Sequence, residues 1–225
     1  LFWGRIPVLE RASSFLFYRK GSDFRRILHL LKYSGYKELG EVMGRYMAAE
    51  LISCGFFDHV DVIVPVPLHK KKQKLRGYNQ SEWIARGISS VTGIPLNAKS
   101  VIREKNTETQ TRKSTFERSE NVEGIFKLCD VACFQGKHVL IIDDVLTTGS
   151  TTVACASTLF EVEGVRISVL TLKHPRIYLK SFNYQIGCQH FLDRLSKSLE
   201  MGGCRMYIHG TLVFVLFVEN ESYGL

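Results

Sequence analysis

Apolar positions recur along this chain with two different periods. Residues 22–52, "SDFRRILHLLKYSGYKELGEVMGRYMAAELI", place Ile27, Leu28, Leu30 and Leu31, then Leu39, Val42, Met43, Tyr46 and Met47 at helical spacing. Ser22 is placed to cap the start, and Ser34–Gly35 divides the pattern into two helices of ordinary length. "HVDVIVPVPLH" then predicts a strand over 60–66 that stops at prolines. "NQSEWIARGISSVTG" predicts a helix with Asn79 as its cap and Trp83, Ile84 and Ile88 on one face. A short strand is expected within 94–102, while "REKNTETQTRKSTFERSEN" shows no apolar period and reads as a long polar loop. Residues 139–142 are a continuous apolar run, as in a strand buried on both faces of a parallel sheet. A helix over about 150–163 and a strand over 165–172 complete a β-loop-α-β unit. Strands alternating with helices predict an α/β fold with a mostly parallel sheet.

Composition narrows the class without changing it. With 225 residues, 45% hydrophobic and 23% charged, the chain suits one sizeable domain with an appendage, and disorder is not expected. No apolar run approaches the roughly 18 residues of a membrane helix, so no membrane insertion is expected. "LFWGR" lacks the basic-then-apolar order of a signal peptide, and the expected location is cytoplasmic. The first residue is leucine, and the natural start is expected upstream. The six scattered cysteines contain no CxxC pair, which favours reduced thiols over a zinc clamp or a disulfide framework. Nearly all of the net charge of +8 lies before residue 174, since 174–225 carry five basic residues against four acidic ones. An anionic ligand, phosphate or nucleic acid, is therefore compatible with the first 173 residues.

The chemistry concentrates in "HVLIIDDVLTTGST", residues 138–151. Ligands of open parallel sheets bind beyond the carboxyl ends of the strands. There the loop Thr147, Thr148, Gly149, Ser150 and Thr151 leads into a helix whose first N–H groups and dipole favour an anion. The hydroxyls add donors and Gly149 permits close approach, but no Walker pattern occurs anywhere in the chain. Two carboxylates just before a phosphate loop would repel it unless they face another part of the ligand. Vicinal hydroxyls suit Asp143 and Asp144, because ionised carboxylates only accept. A ribose 5-phosphate satisfies both halves of the string. A second strand end carries "PLHKKKQKLRGYNQ", with Lys70, Lys71, Lys72, Lys74 and Arg76 in one expected loop. A loop of N–H groups and cations there would hold a pyrophosphate, or would be a solvated basic turn.

"VLIIDDVLTTGST" resembles the phosphoribosyl-pyrophosphate motif of type I phosphoribosyltransferases. "LLKYSGYKELG", "VPVPLHKKKQKLRGYNQSE" and "REKNTETQTRKSTFERSENVEGIF" further resemble the ComF branch, the competence-associated, amidophosphoribosyltransferase-like proteins, and the likeness covers about residues 17–173. The resemblance implies a parallel sheet flanked by helices with an N-terminal helical hood. It implies a hood over 1–58, a phosphoribosyltransferase core over 59–173 and an atypical tail over 174–225. It also implies 5-phosphoribosyl 1-pyrophosphate as ligand and Mg²⁺ as cofactor. The ion would be held by ligand oxygens and water, with at most Asp143 or Asp144 contributing. By the same resemblance, Asp143 and Asp144 are catalytic, and Leu68, His69, Lys70 and Arg76 belong to the pyrophosphate loop. Arg103, Gln110, Arg118 and Asn121 belong to a mobile loop that closes over the site.

Two departures stand out: the CxxC zinc ribbon with which the family begins is missing, and residues follow where the family's last strand ends. The expected activity is phosphoribosyl transfer to an unknown nitrogen acceptor, linked to DNA uptake. The alternative is a non-catalytic competence factor that binds single-stranded DNA, with Tyr78 between Arg76 and the Trp83 helix available to stack on bases. A homodimer is compatible with either. A transcriptional regulator would need a helix-turn-helix, which the pattern lacks.

Overall fold

The computed structural model describes residues 5–17, 24–33, 35–104, 124–174, 198–201, 204–209 and 212–217. The strands are β1 (Leu9–Phe17), β2 (Val62–Pro65), β3 (Val101–Arg103), β4 (Phe126–Leu128), β5 (His138–Val145), β6 (Arg166–His174), β7 (Ser198–Met201), β8 (Cys204–His209) and β9 (Leu212–Phe217). The helices are α1 (Phe24–Tyr33), α2 (Lys37–Ile52), α3 (Lys70–Arg76), α4 (Gln80–Thr92) and α5 (Ser150–Phe160). One sheet runs in the order β2-β5-β6-β1-β9-β8-β7. Its first four strands are parallel and the remaining three join antiparallel. This is the expected α/β class, a parallel sheet flanked by helices.

The two-residue period of the strands sorts the core into two layers. Val62, Val64, Val139 and Ile141 pack on one face with α5 residues Val153, Ala156 and Leu159. Ile63, Leu140 and Ile142 pack on the other face with Met43, Met47, Ile84 and Ile88 of α2 and α4. The hood helices and α5 therefore sandwich the carboxyl ends of β2 and β5.

Three sequence expectations need correction. Residues 1–58 are not simply a helical hood, because β1 is a core strand parallel to β6, with Ser13 opposite Leu170 and Ser14 opposite Thr171. Its polar residues hid it from the pattern, yet they are satisfied in place. Arg11 Nη1 donates to the carbonyls of Gly55, Phe56 and Asp58, and the Ser14 and Thr171 hydroxyls share a hydrogen bond. Second, the lysine run is helix α3 rather than loop: the His69 ring accepts from Lys71 N–H at the start, and Gly77 closes the end. Third, the strand expected within 94–102 is divided. Leu96 makes a single parallel bridge to Ile63, whereas Val101–Arg103 pairs antiparallel with β4. The apolar run Leu212–Phe217 near the end forms β9, hydrogen-bonded to β1. No helix among the described residues is long and apolar enough to cross a membrane.

At the amino end of the sheet His138 is fully buried. The His59 carbonyl, 3.1 Å from Nδ1, can only accept, so Nδ1 carries the proton. Nε2 then accepts from the Ser168 hydroxyl at 2.8 Å. Burial holds this imidazole's pKa below its ordinary value, against the opposing pull of Glu10. The unfolded chain therefore binds a proton that the folded one refuses, and this contribution to stability fades as pH falls below about 6.5. Relative to His138→Gln, the wild type should lose up to about 1.4 kcal/mol per pH unit below that point. Denaturant titrations of both proteins at about pH 7.5 and 5.5 would check this, and a pH-independent difference would refute it.

Candidate functional site

The site gathers at the carboxyl ends of β2 and β5, where the strand period separates the two aspartates. Asp143 is buried, and its carboxylate accepts from Ser81 Oγ at 3.3 Å, Thr152 Oγ1 at 3.1 Å and the Asp144 N–H at 2.8 Å. It thus bridges the start of α4 to the first turn of α5. Burial and the neighbouring Asp144 push its pKa up to about 7. Asp144 faces the hood instead, with Oδ2 2.6 Å from Lys32 Nζ of α1. The two carboxylates, read alike in the sequence as partners for vicinal hydroxyls, are thus not equivalent in the fold. Asp143 is a bracket between helices, and Asp144 is the partly exposed member of the pair.

The phosphate loop follows directly. Gly149 has φ of 76°, in the left-handed region open to glycine, and it occupies the N-cap of α5. Thr148 Oγ1 lies 3.0 Å from Ser150 Oγ and 3.4 Å from Ser150 N. Thr147 is exposed, Thr148, Ser150 and Thr151 are half-buried, and Gly149 is buried. The loop is braced from a part of the chain that sequence reasoning passed over: Arg5 Nη1 donates to the Thr148 carbonyl at 3.1 Å. No local pattern around Arg5 signals this contact across the fold.

Helix α3 sorts its cations by face. Lys72 and Arg76, one turn apart, are half-buried, whereas Lys70, Lys71 and Lys74 are exposed. Burial lowers the Lys72 pKa, with Arg103, then Arg76, then Lys32 adding to the shift. These four cations therefore share one field beside the carboxylates. Arg103, at the end of β3, is half-buried over the Phe126 ring, and Asp143 offsets part of what burial does to its charge. Gln110, Arg118 and Asn121 lie outside the described residues. Leu68 and His69 are half-buried between β2 and α3.

The hood is fastened to this cationic face at two points. The Tyr78 hydroxyl donates to the Leu31 carbonyl, and the Arg76 guanidinium lies 5.7 Å from the Tyr33 ring centroid. Arg76 Nη1 also donates to Gln80 Oε1 of α4 at 3.0 Å. Tyr78 is buried and cannot offer a face to a base, which corrects the stacking role expected of it. Asn79 precedes α4 as expected, but its amide donates to the Val66 carbonyl instead of capping the helix.

Among the described residues no three His, Cys, Asp or Glu side chains converge as a metal site, and Cys54, Cys129, Cys133 and Cys155 form no disulfide with one another. The arrangement offers hydroxyls and N–H groups in the loop, a partly exposed carboxylate just before it and a cluster of cations linked to that carboxylate through Lys32.

Known proteins share this sequence in part. The chain is 30% identical over 149 residues to the DNA utilization protein YhgH of Escherichia coli K12, covering 65% of each protein. It is 38% identical over 92 residues to competence protein F of Haemophilus influenzae, covering 40% of each. It is 35% identical over 100 residues to competence protein ComFC of Bacillus subtilis, covering 44% of this chain and 38% of that one. The chain therefore spans about 65% of the length of the YhgH relatives. Similar solved chains include the allosteric regulatory enzyme of purine biosynthesis, with TM-score 0.42, 19% identity and coverage of 64% of this chain and 30% of that one. A hypoxanthine phosphoribosyltransferase from Staphylococcus aureus gives TM-score 0.39 and 15% identity, covering 75% and 79%. No family model matches the chain.

Proposed function

We propose that this chain, a homologue of the DNA utilization protein YhgH and of competence proteins F and ComFC, is a phosphoribosyltransferase-like protein that binds 5-phosphoribosyl 1-pyrophosphate. The observation that carries the reading is one connected set of groups: the phosphate loop follows Asp144 in the chain, Asp144 pairs with Lys32, and Lys32 shares the field of Lys72, Arg76 and Arg103. The donor's 5-phosphate, ribose hydroxyls and pyrophosphate call for those three kinds of group. In the transfer, a nitrogen lone pair forms the new bond at the anomeric carbon while the C–O bond to pyrophosphate breaks and the leaving group keeps the electron pair. Asp144 would accept from the ribose hydroxyls as positive charge develops on the sugar, and Lys72, Arg76 and Arg103 would hold the departing anion.

Mg²⁺ fits only through the ligand, because the pair offers one partly exposed carboxylate and no cluster of three ligating side chains converges among the described residues. When bound, the ion would neutralise charge on the leaving pyrophosphate.

A second reading, a competence factor for single-stranded DNA, draws on the relatives' names and on the outer side of α3. There Lys70, Lys71 and Lys74 are exposed beside Leu75, and Tyr33 and Tyr36 are exposed on the hood. One set of variants separates the readings. Lys72→Ala with Arg76→Ala should weaken donor binding about a hundredfold, the scale of two charge-assisted hydrogen bonds. Lys70, Lys71 and Lys74 replaced together by alanine should leave donor affinity within about threefold. If α3 tracks DNA, that triple variant flattens the salt slope by up to roughly 0.7 per lost single-strand phosphate contact. Calorimetry with the donor, a pyrophosphate-release assay over a panel of nitrogen acceptors and DNA titrations in salt read all three. Donor binding unaffected by the inner pair would sink the first reading.

A further inference from the structure

Lys32 stands where the carboxylates meet the cationic face, and its neighbours on α1 are both anchored. The Leu31 carbonyl accepts from Tyr78, and the Tyr33 ring lies under Arg76. The backbone of Lys32 is thereby fixed against the segment that follows α3, while its side chain stays free to reorient. Nζ lies 2.6 Å from Asp144 Oδ2, with the two side chains 22% and 15% exposed. An ion pair this open to water is weak, and a lysine ammonium is a point charge on a flexible stem. Ribose hydroxyls arriving at Asp144 would compete with Lys32 for its Oδ2. A second observation lies on the same cationic face. Gln80 is buried beside Arg76, its Oε1 taken by that guanidinium, and its Nε2 finds no acceptor among the described residues. Buried donors are rarely left unpaired, and an anionic oxygen shared with Arg76 would satisfy this one.

We propose that Lys32 is a ligand-exchanged lysine: it pairs with Asp144 in the free protein and passes to a diphosphate oxygen when the sugar takes Asp144, with the Gln80 amide as the neutral donor of the same diphosphate subsite. The inference rests on the proposed ligand and adds two residues that no motif assigned. It differs from a purely structural ion pair in sign. A lysine that only held Asp144 in place would matter to the sugar, whereas an exchanged lysine matters to the diphosphate and competes with the sugar.

The test is calorimetry of the full chain with inorganic pyrophosphate, ribose 5-phosphate and the complete donor, for wild type, Lys32→Met, Lys32→Arg and Gln80→Met, with thermal unfolding as the check on folding. Lys32→Met should weaken pyrophosphate and donor binding about tenfold, the scale of one charge-assisted hydrogen bond, while ribose 5-phosphate binds within about threefold or more tightly. Lys32→Arg keeps the cation and should recover most of the loss. Gln80→Met should weaken pyrophosphate about fivefold and leave ribose 5-phosphate unchanged. Unchanged pyrophosphate affinity in Lys32→Met, or equal losses for pyrophosphate and ribose 5-phosphate, overturns the exchange while leaving the proposed function standing. A wild type that binds none of the three compounds overturns both.

Discussion

Asp144→Asn is expected to cost about a hundredfold in donor affinity and almost nothing in stability, while Asp143→Ala does the reverse. Asp144 faces the hood, is partly exposed and is held by a lysine at the surface of the site. In the proposed complex asparagine keeps one carbonyl acceptor but loses the charge and the second oxygen, so two charge-assisted hydrogen bonds to ribose hydroxyls become one neutral bond, a loss of about 3 kcal/mol. Asp143 has spent its oxygens on Ser81, Thr152 and the Asp144 N–H. Alanine there strands those buried donors and should cost about 2–4 kcal/mol.

Asparagine at 143 separates charge from shape. The folded Asp143 carboxyl titrates at about 7, above its unfolded value, so its contribution is present at low pH and is lost as pH rises from about 4 through about 7. The sign is opposite to that of His138, so each variant must be compared with wild type at the same pH. Asp143→Asn should gain on wild type as pH rises across that window and keep donor affinity within about fivefold. Calorimetry and denaturant titrations of the three variants decide the matter. Equal losses of donor binding from Asp143→Asn and Asp144→Asn would restore the two carboxylates to one role.

The second large effect lies in the contact between α2 and α4, which carries the hood and with it Lys32 and Ser81. A Cβ on Gly44 would run into the backbone carbonyl of Ile84, and one on Gly87 into the carbonyl of Glu41. Neither obstacle is a side chain that can turn aside, so the two helices would have to separate. Gly44→Ala and Gly87→Ala should each cost about 3 kcal/mol or more, against a total stability of about 5–15 kcal/mol for a domain of this kind. Gly40→Ala sets the scale. Its Cβ would meet the Trp83 Cβ at 3.0 Å and Leu31 Cδ1 at 3.1 Å, a milder approach in which the Leu31 methyl can turn aside and the Trp83 Cβ must give by only a few tenths of an ångström. The helix propensity gained by alanine, about 1 kcal/mol, offsets much of that crowding. Chemical denaturation that ranks Gly40→Ala no milder than the other two would show that the crossing is not so close.

Much of the fold was legible because its signals are local. The run 139–142, the acidic pair and the glycine-containing loop before α5 depend only on neighbours in sequence, and the structure holds them as β5, the turn and α5. The break at Ser34–Gly35 falls between α1 and α2 for the same reason. The lysine run did not announce its helix, because α3 has no buried face of its own among apolar residues and is set by its ends, His69 and Gly77.

What the sequence by itself determined is the order of chemical groups along the chain and the class of sheet that displays them, since both follow from residue type and period. Tertiary structure alone decided three matters. β1 became a core strand because β6 supplies its backbone partners and Thr171 and the carbonyls of Gly55, Phe56 and Asp58 satisfy its polar side chains. Arg5 and Lys32 reached the site from elements distant in the chain, through contacts with no local signature. Two adjacent aspartates of equal standing on paper took different duties, because consecutive residues of a strand face opposite layers. One layer turned Asp143 into the buried joint between α4 and α5, and the other left Asp144 facing Lys32 at the open edge of the site.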